Sequence, residues 1–350
     1  MFGHLFVCGT AALCALAPVS AGAQATPARS AQPQAPLTID AAVREAMDHN
    51  LTLLAERFNV TVAEASLVTA SLRPNPVFTA NLMVPQRALV DAGITPSEQV
   101  VRTDVVFERG GKRERRMDTA RLAQTVAELQ LLNTTRALIL DVASAFTDVQ
   151  LAELNVALAR ENLAALDDIV RVNTVRVRTG DLARVELSRS NLEALQFQNE
   201  VLQRQTRLRI ARNHLSTLLG RGPDGDALRV TGDLRRDLEP IRYDELYRQA
   251  LARRPDVRAA RTDQARSVSD LRLQLANGRV DYTVGGEYHR QEGATISGNS
   301  LGVFFSAPLP LFNRNQGEIA RARIQTQQAE TRVHAVEMDV SREAANAFAE

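Results

Sequence analysis

The sequence has two cysteines, no tryptophan and few other aromatic residues. Cys8 and Cys14 both lie in the N-terminal apolar stretch, so the chain after it has none. A chain without cysteine holds no disulfide, no thiolate nucleophile and no zinc–thiolate site. With 4 Tyr and 11 Phe among 350 residues, large aromatic pockets are also disfavoured.

The sequence also lacks an excess of charge of either sign. Lys and Arg total 42 against 41 Asp and Glu, a formal net charge of +1. No overall field attracts the protein to polyanions, so we expect no nucleic-acid partner. The length corresponds to about two domain-sized units, and 45% hydrophobic residues suffice for a sizeable core.

Long hydrophobic runs are absent after the N-terminus. Residues 1–23 read as a secretory signal peptide cleaved after Ala23, although basic residues are missing before its apolar part. A membrane anchor is the alternative, disfavoured because the stretch is short. No lipoprotein signal is present around Cys8 or Cys14. Residues 24–36, rich in Pro, Ala and Gln, are predicted to be a disordered linker. If the rest spans a membrane, it does so with strands.

Four segments alternate polar and apolar residues with the period of a β-strand: 77–84, 101–108, 280–289 and 300–306. Their lengths approach the ~9 to 11 residues that cross a bilayer at a tilt. A half-buried soluble sheet alternates in the same way and is the alternative for any single strand. The polar faces carry charged residues that we predict to line a lumen, the alternative being that they are only the solvated side of each strand: Arg102, Asp104, Glu108, Asp281 and Glu287.

Four strands are too few for a barrel, because transmembrane barrels begin at about eight strands. A membrane-spanning form must therefore pool strands from several chains, and a trimer would supply twelve. The loops at 85–99 and 290–298 would then lie on one side of the membrane, and the helices on the other.

A helix-forming stretch at 113–178 contains neither Pro nor Gly and corresponds to a helix of roughly 99 Å. Two seams of apolar residues run along it, which predicts two neighbouring helices. Gly180 is expected to end the helix in the left-handed conformation, and Asp181 to cap a helix that returns as far as Gly220. Simple coiled-coil dimerisation is the alternative reading of this hairpin.

The order of predicted elements repeats once. Asp40 and Asp244, 204 residues apart, each stand where a helix N-cap is expected. The repeats are residues 37–239, with a helix, a strand pair and the long hairpin, and 240–350, which stops before a second hairpin. Only seven of 43 aligned positions are identical, so the order of elements carries this inference.

Several short motifs resemble those of the TolC-like outer membrane efflux factor family, and within it the heavy-metal (cobalt-zinc-cadmium) resistance channels. They are LTIDAA at 37–42, LRPNP at 72–76, GGKR at 110–113, RTGD at 178–181, LLG at 218–220 and PLPLFNRNQG at 308–317. Each is weak alone. Their order and spacing make the set fairly specific.

The resemblance implies a mainly α protein with four β-strands. Its trimer would form a 12-stranded outer membrane β-barrel above a periplasmic α-barrel of long antiparallel hairpins. The implied partners are two further copies, outer membrane lipid, a periplasmic adaptor protein and an inner membrane efflux pump. The tip residues that would contact the adaptor are Arg178, Thr179, Gly180, Asp181 and Leu182. The family's second hairpin is missing, so we expect a sequence cut short, and the gating residues cannot be named.

The sequence suggests no catalytic chemistry. Gly110-Gly111-Lys112 is not a phosphate-binding loop, because Arg113 replaces the required Ser or Thr. The histidines are scattered without metal-ligand spacing, so we expect neither metal site nor cofactor. Two functions remain: a passive outer membrane conduit for exporting metal ions or drugs, and a periplasmic coiled-coil adaptor. An adaptor should carry soluble β-domains rather than strands of bilayer length.

Overall fold

The structure is a computed structural model that describes residues 36–83, 97–222, 228–232, 242–292 and 297–349. Within these ranges the chain forms seven helices and four strands. The helices are α1 Ile39–His49, α2 Leu51–Ser71, α3 Lys112–Thr179, α4 Arg184–Leu218, α5 Tyr243–Arg253, α6 Pro255–Asn277 and α7 Gln316–Ala349. The strands are β1 Val77–Met83, β2 Ser97–Phe107, β3 Tyr282–Glu292 and β4 Gly298–Ser306. The predicted signal peptide, the predicted linker up to residue 35 and the predicted repeat boundary at 239–240 lie outside the described residues.

The long hairpin is present as predicted. α3 has 68 residues and α4 has 35, and the two helices pack antiparallel. The first predicted seam is buried or half-buried along its whole length: Val142, Ala145, Val149, Ala152, Val156, Ala159, Leu163, Leu166, Val170, Asn173 and Val177. The second seam is exposed: Leu151, Leu154, Leu158, Ala165, Val172 and Val175. Within the described residues, the neighbour predicted for the second seam is therefore absent, although α1, α2 and α6 also pack against α3.

The main apolar core joins α1, the start of α2, the middle of α3 and the end of α4. Val142 and Val149 of α3 are completely buried there against Leu215 and Leu219. Asn50 connects these helices because its Oδ1 accepts a hydrogen bond from the N–H of Leu53 at 3.0 Å, while its Nδ2 donates to the carbonyl of Leu218 at 3.0 Å. The core thus fixes the hairpin base to the short helices before the sheet.

Both predicted aspartate N-caps are wrong. The cap of α1 is Thr38, whose Oγ1 accepts from the N–H of Ala41 at 3.3 Å, and Asp40 lies in the first turn. The cap of α5 is Arg242, which makes no side-chain cap bond, and Asp244 is again in the first turn. An acidic residue in the first turn still interacts favourably with the helix dipole, so composition alone does not locate the cap residue.

In the second half, α6 packs on α3 and α7, and α5 packs on α7. The helices α1 and α5 begin at the predicted offset of 204 residues, and so do α2 and α6. No helix in the described ranges has the length and apolar character needed to cross a membrane.

An ion network holds the start of α6 to α7. The Arg254 guanidinium donates to Asp256 Oδ2 at 2.6 Å and to Glu343 Oε2 of α7 at 2.6 Å. Burial favours protonation of Asp256, but the hydrogen bond and charge of Arg254, with the N–H of Val257, outweigh it and hold the pKa of Asp256 below its usual value. The hydrogen bonds of Arg254 raise its pKa, and the bond with Asp256 contributes more than the bond with Glu343.

The four strands form one antiparallel sheet in the order β1-β2-β3-β4. The second and third strands are longer than predicted at one end. Residues 97–99 and 290–292, which were expected in loops, pair with each other as strand. The other ends shift as well: β2 stops at Phe107, β3 starts at Tyr282 and β4 starts at Gly298. Val84, the predicted end of the first strand, lies outside the described residues. Among the described residues, no further strand pairs with the outer edges of β1 and β4.

Candidate functional sites

One face of the sheet is apolar and exposed on all four strands. Leu301 and Val303 of β4 are each 86% exposed, and within the described residues no helix packs extensively against this face. A half-buried soluble sheet would instead hide its apolar side against other elements. The residues of this apolar face are Phe78, Ala80, Leu82, Val101, Val105, Phe107, Val284, Tyr288, Leu301, Val303 and Phe305.

The opposite, polar face brings together three of the predicted lumen residues. Arg102 stands across from Glu287 in the strand register, and its Nε donates to Asp104 Oδ1 at 2.9 Å. The guanidinium also lies 4.3 Å from the ring centroid of Phe304. Asp104 faces the buried Gly285, where a Cβ atom would collide with the Asp104 carboxylate. The glycine therefore leaves the space that this carboxylate occupies.

The polar face also includes a pair that the sequence reading missed. His289 Nε2 of β3 lies 3.0 Å from Glu98 Oε1 of β2. Glu98 falls in a segment predicted as loop, so no pattern placed it near a histidine. Within the described ranges, no three His, Cys, Asp or Glu side chains converge as metal ligands.

The other two predicted lumen residues, Glu108 and Asp281, are not strand residues. Each lies just outside its strand, where the sheet meets α3. Asp281 accepts hydrogen bonds from Lys112 Nζ at 2.7 Å and from the N–H of Arg109 at 2.8 Å. Glu108 pairs with Arg116, and this hydrogen bond raises the pKa of Arg116. Both carboxylates are thus ion-paired with residues of α3.

Two further contacts tie the same junction to α2. Arg113 Nε donates to the carbonyl of Ser71 at 2.6 Å, and Arg116 Nη2 donates to the carbonyl of Leu72 at 3.2 Å. The GGKR motif at 110–113 therefore forms a strand-to-helix joint. Gly110 and Gly111 begin the joint with positive φ angles of 77° and 67°, which glycine adopts without strain.

The tip of the long hairpin is an exposed turn. Gly180 has φ 87°, and the N–H of Asp181 donates to the carbonyl of Arg176 at 2.8 Å, the left-handed helix ending predicted for this glycine. Asp181 does not cap α4, because its Oδ2 accepts from the Thr179 hydroxyl at 2.8 Å and the helix begins only at Arg184. Of the predicted tip residues, Arg178, Thr179, Gly180 and Asp181 are exposed and Leu182 is half-buried.

Comparison with known proteins gives a consistent result for the family and the fold. The profile of the outer membrane efflux protein family matches residues 42–221 and 246–350. The chain is 25% identical to the cobalt-zinc-cadmium resistance protein CzcC of Cupriavidus metallidurans over 317 residues, which cover 90% of this chain and 73% of CzcC.

Solved structures with a similar fold are outer membrane channels. The outer-membrane channel OprN superposes with a TM-score of 0.71 at 20% identity, covering 89% of this chain and 73% of OprN. The outer membrane protein VceC of Vibrio cholerae gives a TM-score of 0.68 at 18% identity, covering 88% of this chain and 77% of VceC. The mainly helical fold with four antiparallel strands is that of these channels.

Proposed function

Because the chain belongs to the outer membrane efflux protein family, we propose that it is the outer membrane component of a tripartite efflux system. In this role it is a passive, water-filled conduit, and an inner membrane pump supplies the energy. The observation that carries the proposal is the sheet, whose apolar face is exposed on every strand while its opposite face carries Arg102, Asp104 and Glu287.

The two faces of the sheet suit a channel wall. An apolar exterior and a polar interior are the arrangement of outer membrane barrels. The open edges of β1 and β4 are free to pair with neighbouring copies, and three copies give the twelve strands of a closed barrel. In this arrangement Arg102, Asp104 and Glu287 line the lumen, while Glu108 and Asp281 lie at its periplasmic end.

The hairpin extends the conduit into the periplasm. The exposed seam along α3, from Leu151 to Val175, is the surface on which a neighbouring copy completes the helical tube. The proposed docking point for the periplasmic adaptor is the tip, residues 178–182.

We propose metal ions as the cargo, with drugs as the other possibility. The cobalt-zinc-cadmium resistance named for CzcC supports the first choice. A conduit does not need to recognise what it carries, so the lining residues do not distinguish the two. The adaptor hypothesis gains no support, because the matched family and the similar structures are outer membrane channels.

Deletion of the gene in its native host tests the function. We expect cells without the protein to accumulate more Zn²⁺, Co²⁺ or Cd²⁺ and to grow poorly on these ions, with recovery when the complete gene is restored. The protein should sediment with the outer membrane. Recovery as a soluble periplasmic protein would contradict the proposed outer membrane channel. Sensitivity of the deletion strain to drugs but not to metal ions would contradict metal ions as the cargo.

Reversal of charge at the hairpin tip tests the docking point. Arg178→Glu should reduce export while the protein still reaches the outer membrane at wild-type levels, because only the contact with the adaptor is altered. Glu193→Lys, an exposed change further along α4, is the matched control and should leave export intact. Equal export by both variants would remove the tip from the proposed interface.

A further inference from the structure

The proline-rich segment between β4 and α7 exposes three large apolar side chains. Leu309 and Leu311 are largely exposed, and Phe312 is 90% exposed. The segment is nevertheless held in place. Arg314 Nε donates to the carbonyl of Pro310 at 3.1 Å, and Asn315, with φ 63°, donates to the carbonyl of Gln274 at 2.8 Å. The chain thus presents these side chains on a fixed loop, although nothing in the described subunit covers them.

A cleft of about 350 Å³ lies at the opposite edge of the sheet. Its walls come from the connection between α2 and β1, the last residues of β2, and the start of α3. Both apolar and charged side chains line it. The lining residues include Arg73, Pro74, Val105, Phe107, Glu108 and Lys112.

The loop and the cleft lie in the same layer of the molecule, where the sheet meets the helices. Both approach the last turn of α6. The backbone of Arg314 lies close to Gly278, and Gly110, beside the cleft, lies close to Ala276. They belong to opposite sides of the sheet, however, because the loop follows β4, whereas the chain that enters β1 and the end of β2 line the cleft. Two copies placed side by side, with β4 of one next to β1 of the other, would bring the loop of one copy towards the cleft of the next.

We propose that Leu309, Leu311 and Phe312 of one copy pack into this cleft of the next copy. β1 leaves the helical layer at Val77, and β4 returns to it at Ser306, so β4 of one copy and β1 of the next can pair antiparallel. The loop after β4 then reaches the neighbour's Arg73 and Pro74. This inference rests on the proposed function, since it requires barrel formation between copies.

Lipid is the competing occupant of the exposed loop. The same layer carries the ion pairs of Lys112 with Asp281 and of Arg116 with Glu108. Charged groups are costly at hydrocarbon depth, so a layer built around ion pairs belongs outside the apolar part of the bilayer. This favours a protein neighbour over lipid for Phe312.

The absence of tryptophan provides a direct test. Phe312→Trp and Phe305→Trp each introduce one fluorophore, the first on the loop and the second on the apolar face. In vesicles with brominated lipid chains, we expect strong quenching for Phe305→Trp and at least fivefold weaker quenching for Phe312→Trp, with blue-shifted emission from both. Equal quenching of the two would place Phe312 in lipid and overturn the inference.

Cysteine pairs identify the neighbour, because the only natural cysteines lie in the predicted signal peptide. Phe312→Cys with Pro74→Cys should cross-link copies through a short thiol-reactive linker, whereas Phe312→Cys with Ser66→Cys on α2 should not. The native mass is measured for each variant. A trimer that fails to cross-link through Pro74 overturns this inference alone. A monomer overturns the proposed function with it.

Discussion

At the scale of single residues, the polar face of the sheet depends on a missing side chain. Gly285 faces Asp104, and an added Cβ would collide with the carboxylate that pairs with Arg102. Gly286, one residue later, has nothing within 4 Å of such an atom. Substitutions at these two positions therefore distinguish the effect of crowding against Asp104 from the general effect of replacing a glycine in this strand.

We expect Gly285→Ala to lower the free energy of unfolding by about 1–3 kcal/mol, because the strand has to move or the Arg102–Asp104 pair has to break. Gly286→Ala should stay within about 0.5 kcal/mol of the wild type. Denaturant unfolding in detergent, followed by circular dichroism, measures both. Equal effects would show that Gly285 makes no special room for Asp104.

Asp256 gives a prediction about pH. Its pKa in the folded protein lies below the usual value near 3.8, so its pairing stabilises the fold above about pH 4. This contribution is lost as the pH falls through the lowered pKa. Asp256→Asn should therefore lower stability at pH 7 by about 1 kcal/mol, with the deficit shrinking below about pH 4.

Thermal unfolding at pH 7 and at pH 3 measures this change. Asp339→Asn is the control, because Asp339 and its partner Arg342 are both largely exposed. It should shift the melting temperature little at either pH. A deficit for Asp256→Asn that is the same at both pH values would contradict a role for the ionised carboxylate.

The residue types predicted where a helix begins better than they predicted which residue is its N-cap. Asp40 and Asp244 correctly indicated nearby helix N-termini, but the cap positions are Thr38 and Arg242. The left-handed conformation of Gly180 was predicted correctly, because few residues other than glycine adopt a positive φ at the end of a helix. The prediction that Asp181 caps the next helix was wrong, because its carboxylate accepts a hydrogen bond from the Thr179 hydroxyl instead.

At the scale of elements, the long hairpin was predictable because its seam is periodic and uninterrupted. The strand ends were not, because the alternation of apolar residues stops before the backbone pairing does. Ser97 pairs with Glu292, and Glu98 with Gln291, although neither pair carries an apolar side chain. Backbone hydrogen bonds between β2 and β3 extend both strands into polar residues. The alternation of apolar residues within one strand predicts these residues to be loop.

The exposed seam of α3 supplies a prediction at this scale. Leu158→Asp should reduce the trimer population at least tenfold while helix content stays unchanged, because Leu158 faces away from its own hairpin. Arg160→Asp, also exposed on α3 but off both seams, should leave assembly intact. Native mass and circular dichroism measure the two properties, and a trimeric Leu158→Asp protein would exclude this seam as an interface.

At the scale of the whole molecule, the sequence indicated the family and the mainly helical fold with four strands, and both were confirmed. What covers the apolar face of the sheet could not be read from the sequence in the same way. An apolar strand face has the same period whether it meets lipid or another sheet. The structure adds that none of the described helices packs extensively against this apolar face.

The number of copies in the purified protein is the most direct test of the assembly. Native mass spectrometry of outer membrane extracts in mild detergent should give a mass of three chains, since the sheet of one subunit has two open edges and too few strands to close on itself. A folded protein that remains a single chain at all concentrations would contradict the account.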